Sequence, residues 1–209
     1  MWATHVQEVE MAEQAPTDQD RIYLVDQQTI RIEDPFTDDD LILDLGGGGE
    51  GVIGLLRGRQ VVAIDRRPDE LEEAADGPIK LIGDACELPF LDGSFDAATA
   101  FFFLMYMPIE DRKKALAEAF RVLKPGGTLH LWDLRIPLKG EEPQEIYCVM
   151  LNIVLPDREI GTGYGAPWVA EREMTADSIA SLARDVGFEI VEEEIGPETF
   201  RMTLRKAGG

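Results

Sequence analysis

From residue 41 onward the chain alternates short apolar runs with amphipathic stretches. Leu41-Ile42-Leu43-Asp44-Leu45 is nearly continuous in apolar residues and runs into glycines. Such a run predicts a strand buried on both faces of a parallel sheet. Gln60 to Asp65 and Ile79 to Asp84 repeat the design, and Phe95 to Phe101 and Thr128 to Asp133 predict a fourth and a fifth strand. Ile109 to Leu123 predicts a helix. Ile109, Leu116, Phe120 and Leu123 fall near one face, and Asp111, Arg112, Lys113, Lys114 and Glu118 largely outside it. Lys124-Pro125-Gly126-Gly127 closes that helix with a breaker and a turn former. Thr175 to Val186 predicts a helix started by Thr175 and stopped by Gly187. Phe188 to Glu194 and Thr199 to Arg205 follow as two strands close enough to pair antiparallel. Strand–helix alternation of this kind implies an α/β fold, an open doubly wound sheet, mostly parallel, with helices on both faces.

Two stretches stand outside the alternation. Residues 1–40 carry 11 acidic residues against two basic ones, Arg21 and Arg31. Residues 136–174 hold an apolar segment, Ile146 to Leu155, and a glycine–aromatic loop from Gly161 to Trp168. An insertion of that length is expected to be a lid or substrate-binding element, or else a connection that covers a sheet edge. No repeat or linker divides the 209 residues, so one domain over 1–209 is expected.

Composition then removes partners. Aspartate and glutamate number 41 against 20 lysines and arginines, a formal net charge of −21. That balance argues against nucleic acid and anionic membrane, because phosphates are neutralised by clustered basic residues. No apolar run approaches the roughly 20 residues of a membrane span, and Met1 to Ala15 lacks the plan of a signal peptide. Cys86 and Cys148 are far apart and form no CxxC, so a reducing cytoplasm is expected and a zinc knuckle is not. The motifs supply no convergent metal ligands. The sequence sets no oligomeric state.

In an open α/β sheet, ligands bind beyond the C-terminal ends of the strands. Asp44, the glycine loop, Asp65, Asp84, Phe101 to Tyr106 and Asp133 all fall at those ends. Gly46, Gly48 and Gly51 satisfy GxGxxG, and Asp65 follows Gly46 by 19 residues. This pattern also suits a nicotinamide dinucleotide. Charge separates the two ligands. A pyrophosphate would rest where Asp44 and Glu50 bracket the loop, and a like charge within ~4–6 Å of an anion is costly. A cationic head fits better, and S-adenosylmethionine carries an ammonium and a sulfonium.

The motifs around these positions resemble the class I S-adenosylmethionine-dependent methyltransferases, in particular the methyltransferase type 11 group. Leu43-Asp44-Leu45-Gly46-Gly47-Gly48 is similar to the first motif, and Val62-Ala63-Ile64-Asp65 to the second-strand motif whose acid binds ribose. Gly83-Asp84-Ala85-Cys86-Glu87-Leu88-Pro89-Phe90 resembles the stretch whose acid caps the adenine amino group. Ser94-Phe95-Asp96 leading to Phe101-Phe102-Phe103-Leu104 resembles the fourth strand, and Arg121 to Gly127 the helix-to-strand turn. The resemblance implies a Rossmann-like methyltransferase fold of seven strands in the order 3-2-1-4-5-7-6, the seventh antiparallel. It implies S-adenosylmethionine as cofactor, with Asp44, Gly46, Gly47, Gly48, Asp65, Arg66, Gly83, Asp84, Ala85, Phe101 and Phe102 around it. Glu50 stands where the group has its third motif glycine, and Tyr106 where many relatives have histidine.

Of Phe101 and Phe102, one is expected to face the cofactor and the other the core. His130 is expected to be a packed histidine rather than a base, and His5 a solvated one. Tyr106, Asp133 and Tyr164 are the candidates for touching the acceptor or taking part in its reaction, with Tyr147 and Trp168 as further contacts, and Tyr23 could close over the cofactor. Three readings follow. The first is a methyltransferase with a small-molecule acceptor. The others are a nicotinamide-dependent oxidoreductase and a non-catalytic module that binds adenosylmethionine or adenosylhomocysteine.

Overall fold

A computed structural model describes residues 18–208. His5 and the stretch 1–15 lie outside the described residues. Seven strands form the main sheet: β2 (Ile42–Leu45), β3 (Val61–Asp65), β4 (Ile79–Ile82), β5 (Phe95–Phe101), β6 (Leu123–Leu134), β9 (Phe188–Ile195) and β10 (Thr199–Lys206). Their order across the sheet is β4-β3-β2-β5-β6-β10-β9. Strands β2 to β6 pair parallel, and β10 runs antiparallel to both β6 and β9. Counting only these seven strands, that is 3-2-1-4-5-7-6 with the seventh reversed, as the resemblance implied.

The apolar runs explain the centre of the sheet. All four residues of β2 are buried, and β5 buries six of its seven. The boundaries differ in detail. Leu41 stays outside β2, and its backbone N–H is held by the Asp96 carboxylate. Gln60 ends a 3-10 turn before β3, and Gly83 and Asp84 lie past β4. The helix α3 covers Ile109–Val122, and β6 starts at Leu123, which already pairs with Phe95 ahead of the glycines. The crossovers after β2 and β3 carry helices of six residues each, α1 (Val52–Arg57) and α2 (Pro68–Glu73).

One charged residue of α3 is not where amphipathicity put it. Arg112 is 1 % exposed. Its guanidinium donates to the carbonyls of Leu104, Met107, Glu173 and Arg172, which come from two distant segments. Burial is tolerated because the donors are met. α4 (Ala176–Val186) begins with a capping box between Thr175 and Ser178 and ends at Gly187.

A second sheet draws its strands from the two stretches that stood apart. β7 (Ile146–Val154) and β8 (Glu159–Pro167) form an antiparallel hairpin, and β1 (Ile22–Arg31) pairs parallel with β7. The glycine–aromatic stretch is therefore a strand and not a loop. Ile160, Thr162 and Tyr164 are partly buried while the intervening Gly161 and Gly163 are exposed, a period of two. The insertion leaves and returns at one point, where Ile136 and Met174 exchange two backbone hydrogen bonds of 2.8 Å.

Candidate functional site

At the C-terminal end of the main sheet lies a cavity of about 580 Å³, a volume ordinary for a small-molecule site. Its floor is the glycine loop after β2. Gly46 has φ +71, and a Cβ there would overlap the Phe103 ring. Only glycine suits that combination of left-handed backbone and close packing. Gly51 (φ +55) takes the left-handed position that opens α1, so Glu50 beside it keeps an ordinary backbone. The serial glycines leave bare backbone along the cavity.

Three carboxylates reach the cavity from adjacent strand ends. Asp44, on β2, is 3 % exposed. Its register partner on β5 is Thr99, whose hydroxyl donates to Asp44 Oδ1 at 2.6 Å. Burial pushes the Asp44 carboxyl up to about 7, against the pull of the Thr99 hydrogen bond and with added repulsion from Asp65. Asp65, at the end of β3, accepts the Arg67 N–H on Oδ1 at 2.9 Å. Asp84, past β4, accepts the Cys86 N–H on Oδ1 at 2.8 Å, while Oδ2 lies 3.9 Å from Arg66 Nε. Arg66 also lines the cavity, whereas Gly83 and Ala85 stand behind Asp84, Gly83 against Ile64.

The opposite wall is aromatic. Phe101 and Phe102 both line the cavity, although each is at least nine-tenths buried. The division of one ring to the cofactor and one to the core does not hold. Phe102 has φ 48, the one left-handed residue other than glycine among the described residues, and this turns the chain out of β5. Its ring stacks on Tyr164 from the hairpin, centroids 5.1 Å apart and planes 13° apart. Tyr106 sits in a 3-10 turn, Leu104–Tyr106, and lines the same wall. Burial drives both phenols above their ordinary values, with Asp133 adding to the push on Tyr106 and a Glu50 hydrogen bond to that on Tyr164. At neutral pH they are hydrogen-bonding phenols, not phenolates.

Asp133 does not face the cavity. It is fully buried, and its oxygens accept the backbone N–H groups of Leu104 (2.8 Å), Met105 (3.3 Å) and Leu134 (2.8 Å). It fixes the turn that carries Tyr106. Burial pushes its carboxyl up to about 7 despite those donors and Arg112. Tyr147 and Trp168 also point elsewhere. With Tyr23 they form an aromatic cluster, Tyr23–Tyr147 at 5.5 Å and Tyr147–Trp168 at 5.1 Å. Tyr147 donates to Glu198, in the turn between β9 and β10, and Trp168 to the Pro137 carbonyl at the start of the insertion. His130 packs between the Thr128 and Thr203 hydroxyls, and burial lowers it to about 4. Among the described residues no group of three or more His, Cys, Asp or Glu side chains could hold a metal, and no helix is long and apolar enough to cross a membrane.

Several lining residues were not singled out from the sequence: Val52, Met107, Arg67 and Glu70. Thr99 carried a readable signal, a polar residue in the middle of an apolar strand.

The strand order, with a glycine turn after the central strand and acids at three neighbouring strand ends, defines the Rossmann-like methyltransferase architecture. A family model described as a methyltransferase domain matches residues 43–131. A demethylmenaquinone methyltransferase of Thermotoga maritima is 31% identical over 170 residues, covering 74% of this chain and 72% of that protein. One of Thermus thermophilus is 36% identical over 126 residues, covering 55% of this chain and 56% of that protein, so the chain spans about half the length of that relative. A solved S-adenosylmethionine-dependent methyltransferase from Methanosarcina mazei shares the fold, with a TM-score of 0.57 at 23% identity over 83% of this chain and 95% of that one. The chain belongs to the class I S-adenosylmethionine-dependent methyltransferases, enzymes whose methyl donor is S-adenosylmethionine.

Proposed function

We propose that this chain transfers a methyl group to a small, ring-bearing acceptor held against the Phe102–Tyr164–Tyr106 wall. The observation that carries the reading is one continuous cavity with carboxylates on one side and aromatic rings on the other. The names of the relatives point the same way, toward a quinol-type acceptor. When bound, S-adenosylmethionine supplies an electrophilic methyl group on a sulfonium.

Asp44 is assigned to the ammonium, because a buried carboxylate with one oxygen on Thr99 and a cavity in front of it favours a cation. Asp65 takes the ribose hydroxyls. Asp84 reads the adenine edge, with Arg66 shaping that end and Gly83 and Ala85 supporting Asp84 from behind. Gly46, Gly47 and Gly48 let the backbone come close. Phe101 and Phe102 exclude water and face the sulfonium, an attraction of ~0.5–2 kcal/mol. Tyr106 and Tyr164 orient the acceptor through neutral hydroxyls. Holding the acceptor in line behind the methyl carbon can supply ~7–11 kcal/mol of the barrier.

Calorimetry with S-adenosylmethionine, S-adenosylhomocysteine and NADH tests the donor site. Micromolar binding of the sulfur ligands and none of NADH is expected, and the reverse would sink the reading. Transfer of labelled methyl to a reduced demethylated naphthoquinone, compared with amines and thiols, tests the acceptor. Transfer to an amine alone would leave the donor site standing and remove the quinol.

A further inference from the structure

We propose that Glu50 is a positioning residue that seats the β7–β8 hairpin over the methyl-donor cavity, so that filling the cavity and closing the hairpin stabilise each other. The proposal rests on the methyl-donor reading above and adds a residue which that reading leaves without a role.

Glu50 lies in the turn between Gly49 and Gly51, directly after the glycines of the cavity floor. The turn is fixed from below, where the Gly49 N–H donates to the Glu70 carbonyl at 2.9 Å. From this base the carboxylate reaches more than a hundred residues along the chain. Its Oε2 accepts the Tyr164 hydroxyl at 2.7 Å, and its Oε1 accepts the Thr162 hydroxyl. Both donors sit on the inward face of β8. That strand pairs with β7 on one side and is the outer strand of its sheet on the other, so ladder bonds hold it from one side. The Tyr164 ring is also part of the cavity wall through its stack on Phe102. One carboxylate thus joins the floor to the hairpin wall through two charge-assisted hydrogen bonds. A ligand that touches both surfaces favours the joined state, and the joined state favours the ligand by the same factor.

The test uses the full chain and S-adenosylhomocysteine as probe. Binding and release rates are measured for wild type, Glu50→Gln, Tyr164→Phe and the double variant. Glutamine offers one acceptor oxygen where glutamate offers two, and phenylalanine keeps the ring stack while removing the hydroxyl. Each single change is expected to speed release three- to tenfold, with the binding rate within twofold. Tyr164→Phe removes one of the two bonds that Glu50 makes, so the double variant is expected to release more slowly than the two single effects multiplied together. Hydrogen exchange over residues 159–167 is expected to slow with S-adenosylhomocysteine in wild type and not in Glu50→Gln. Thr162→Val, which loses one donor alone, replaces any variant whose urea midpoint shows that it does not fold. Unchanged release and exchange in Glu50→Gln, or additive effects in the double variant, would overturn the coupling and leave the donor site intact. No binding to wild type would overturn the donor site and the coupling together.

Discussion

Asp44 and Asp133 flank β5 from its two neighbours, β2 and β6, and burial pushes both carboxyls up to about 7. Their partners differ. Asp44 spends one oxygen on a threonine hydroxyl and lines a cavity. Asp133 gives both oxygens to three backbone N–H groups and does not line that cavity. A shifted acid at a strand end is therefore not in itself a sign of ligand binding. What separates a binding acid from a structural one is whether the protein already satisfies its oxygens.

That contrast can be broken most directly at Asp133. Asp133→Ala leaves the N–H groups of Leu104, Met105 and Leu134 without their acceptor, and a loss of about 3–5 kcal/mol in urea unfolding is expected. A loss under ~1 kcal/mol would place Asp133 with Asp44 after all. Asp44→Asn should do the opposite. It should weaken S-adenosylmethionine binding by about 2–3 kcal/mol, the worth of a charged hydrogen bond, without lowering the urea midpoint at pH 8. Asp65→Ala should weaken the same binding by ~1–3 kcal/mol, and unchanged affinity in calorimetry would refute its ribose role.

The smallest effects come from pH. A cationic head needs Asp44 ionised, so affinity should fall roughly tenfold between pH 8 and pH 6 in wild type and stay flat in Asp44→Asn. For the ligand-free protein the sign is reversed. A carboxyl raised to about 7 by folding adds stability below its ordinary value near 4, and that contribution is lost as pH rises through about 7. Asp44→Asn should accordingly gain a few degrees over wild type at pH 8 and nothing at pH 4. Thermal unfolding at the two values checks this.

The main sheet was legible because its strands are buried on both faces and read as apolar runs, Ile42 to Leu45 being the clearest. The acids at its ends were legible because a strand's last residues mark the ligand side of such a sheet. Asp133 was misread for the same reason, since sequence does not reveal that three backbone donors converge on it. Arg112 was misread because its acceptors come from residues 104, 107, 172 and 173, and no local pattern announces them. The second sheet was missed for two different reasons. β1 mixes polar and apolar positions irregularly around a register shift between Val25 and Gln28. β8 has glycines on its exposed face, which read as a loop although Ile160, Thr162, Tyr164 and Ala166 keep the strand period.

The Ile136–Met174 bridge closes the intervening chain into an insertion with a fixed base. Its two ends meet in space, so length and composition between them can change while β6 and α4 keep their places, since a longer loop adds only a small closure entropy. Among the residues that line the cavity, Tyr164 comes from this insertion, while Phe102 and Tyr106 come from the segment that follows β5. Changes confined to the insertion therefore reach the cavity through the Tyr164 side chain and leave the glycine turn and the strand-end acids in place.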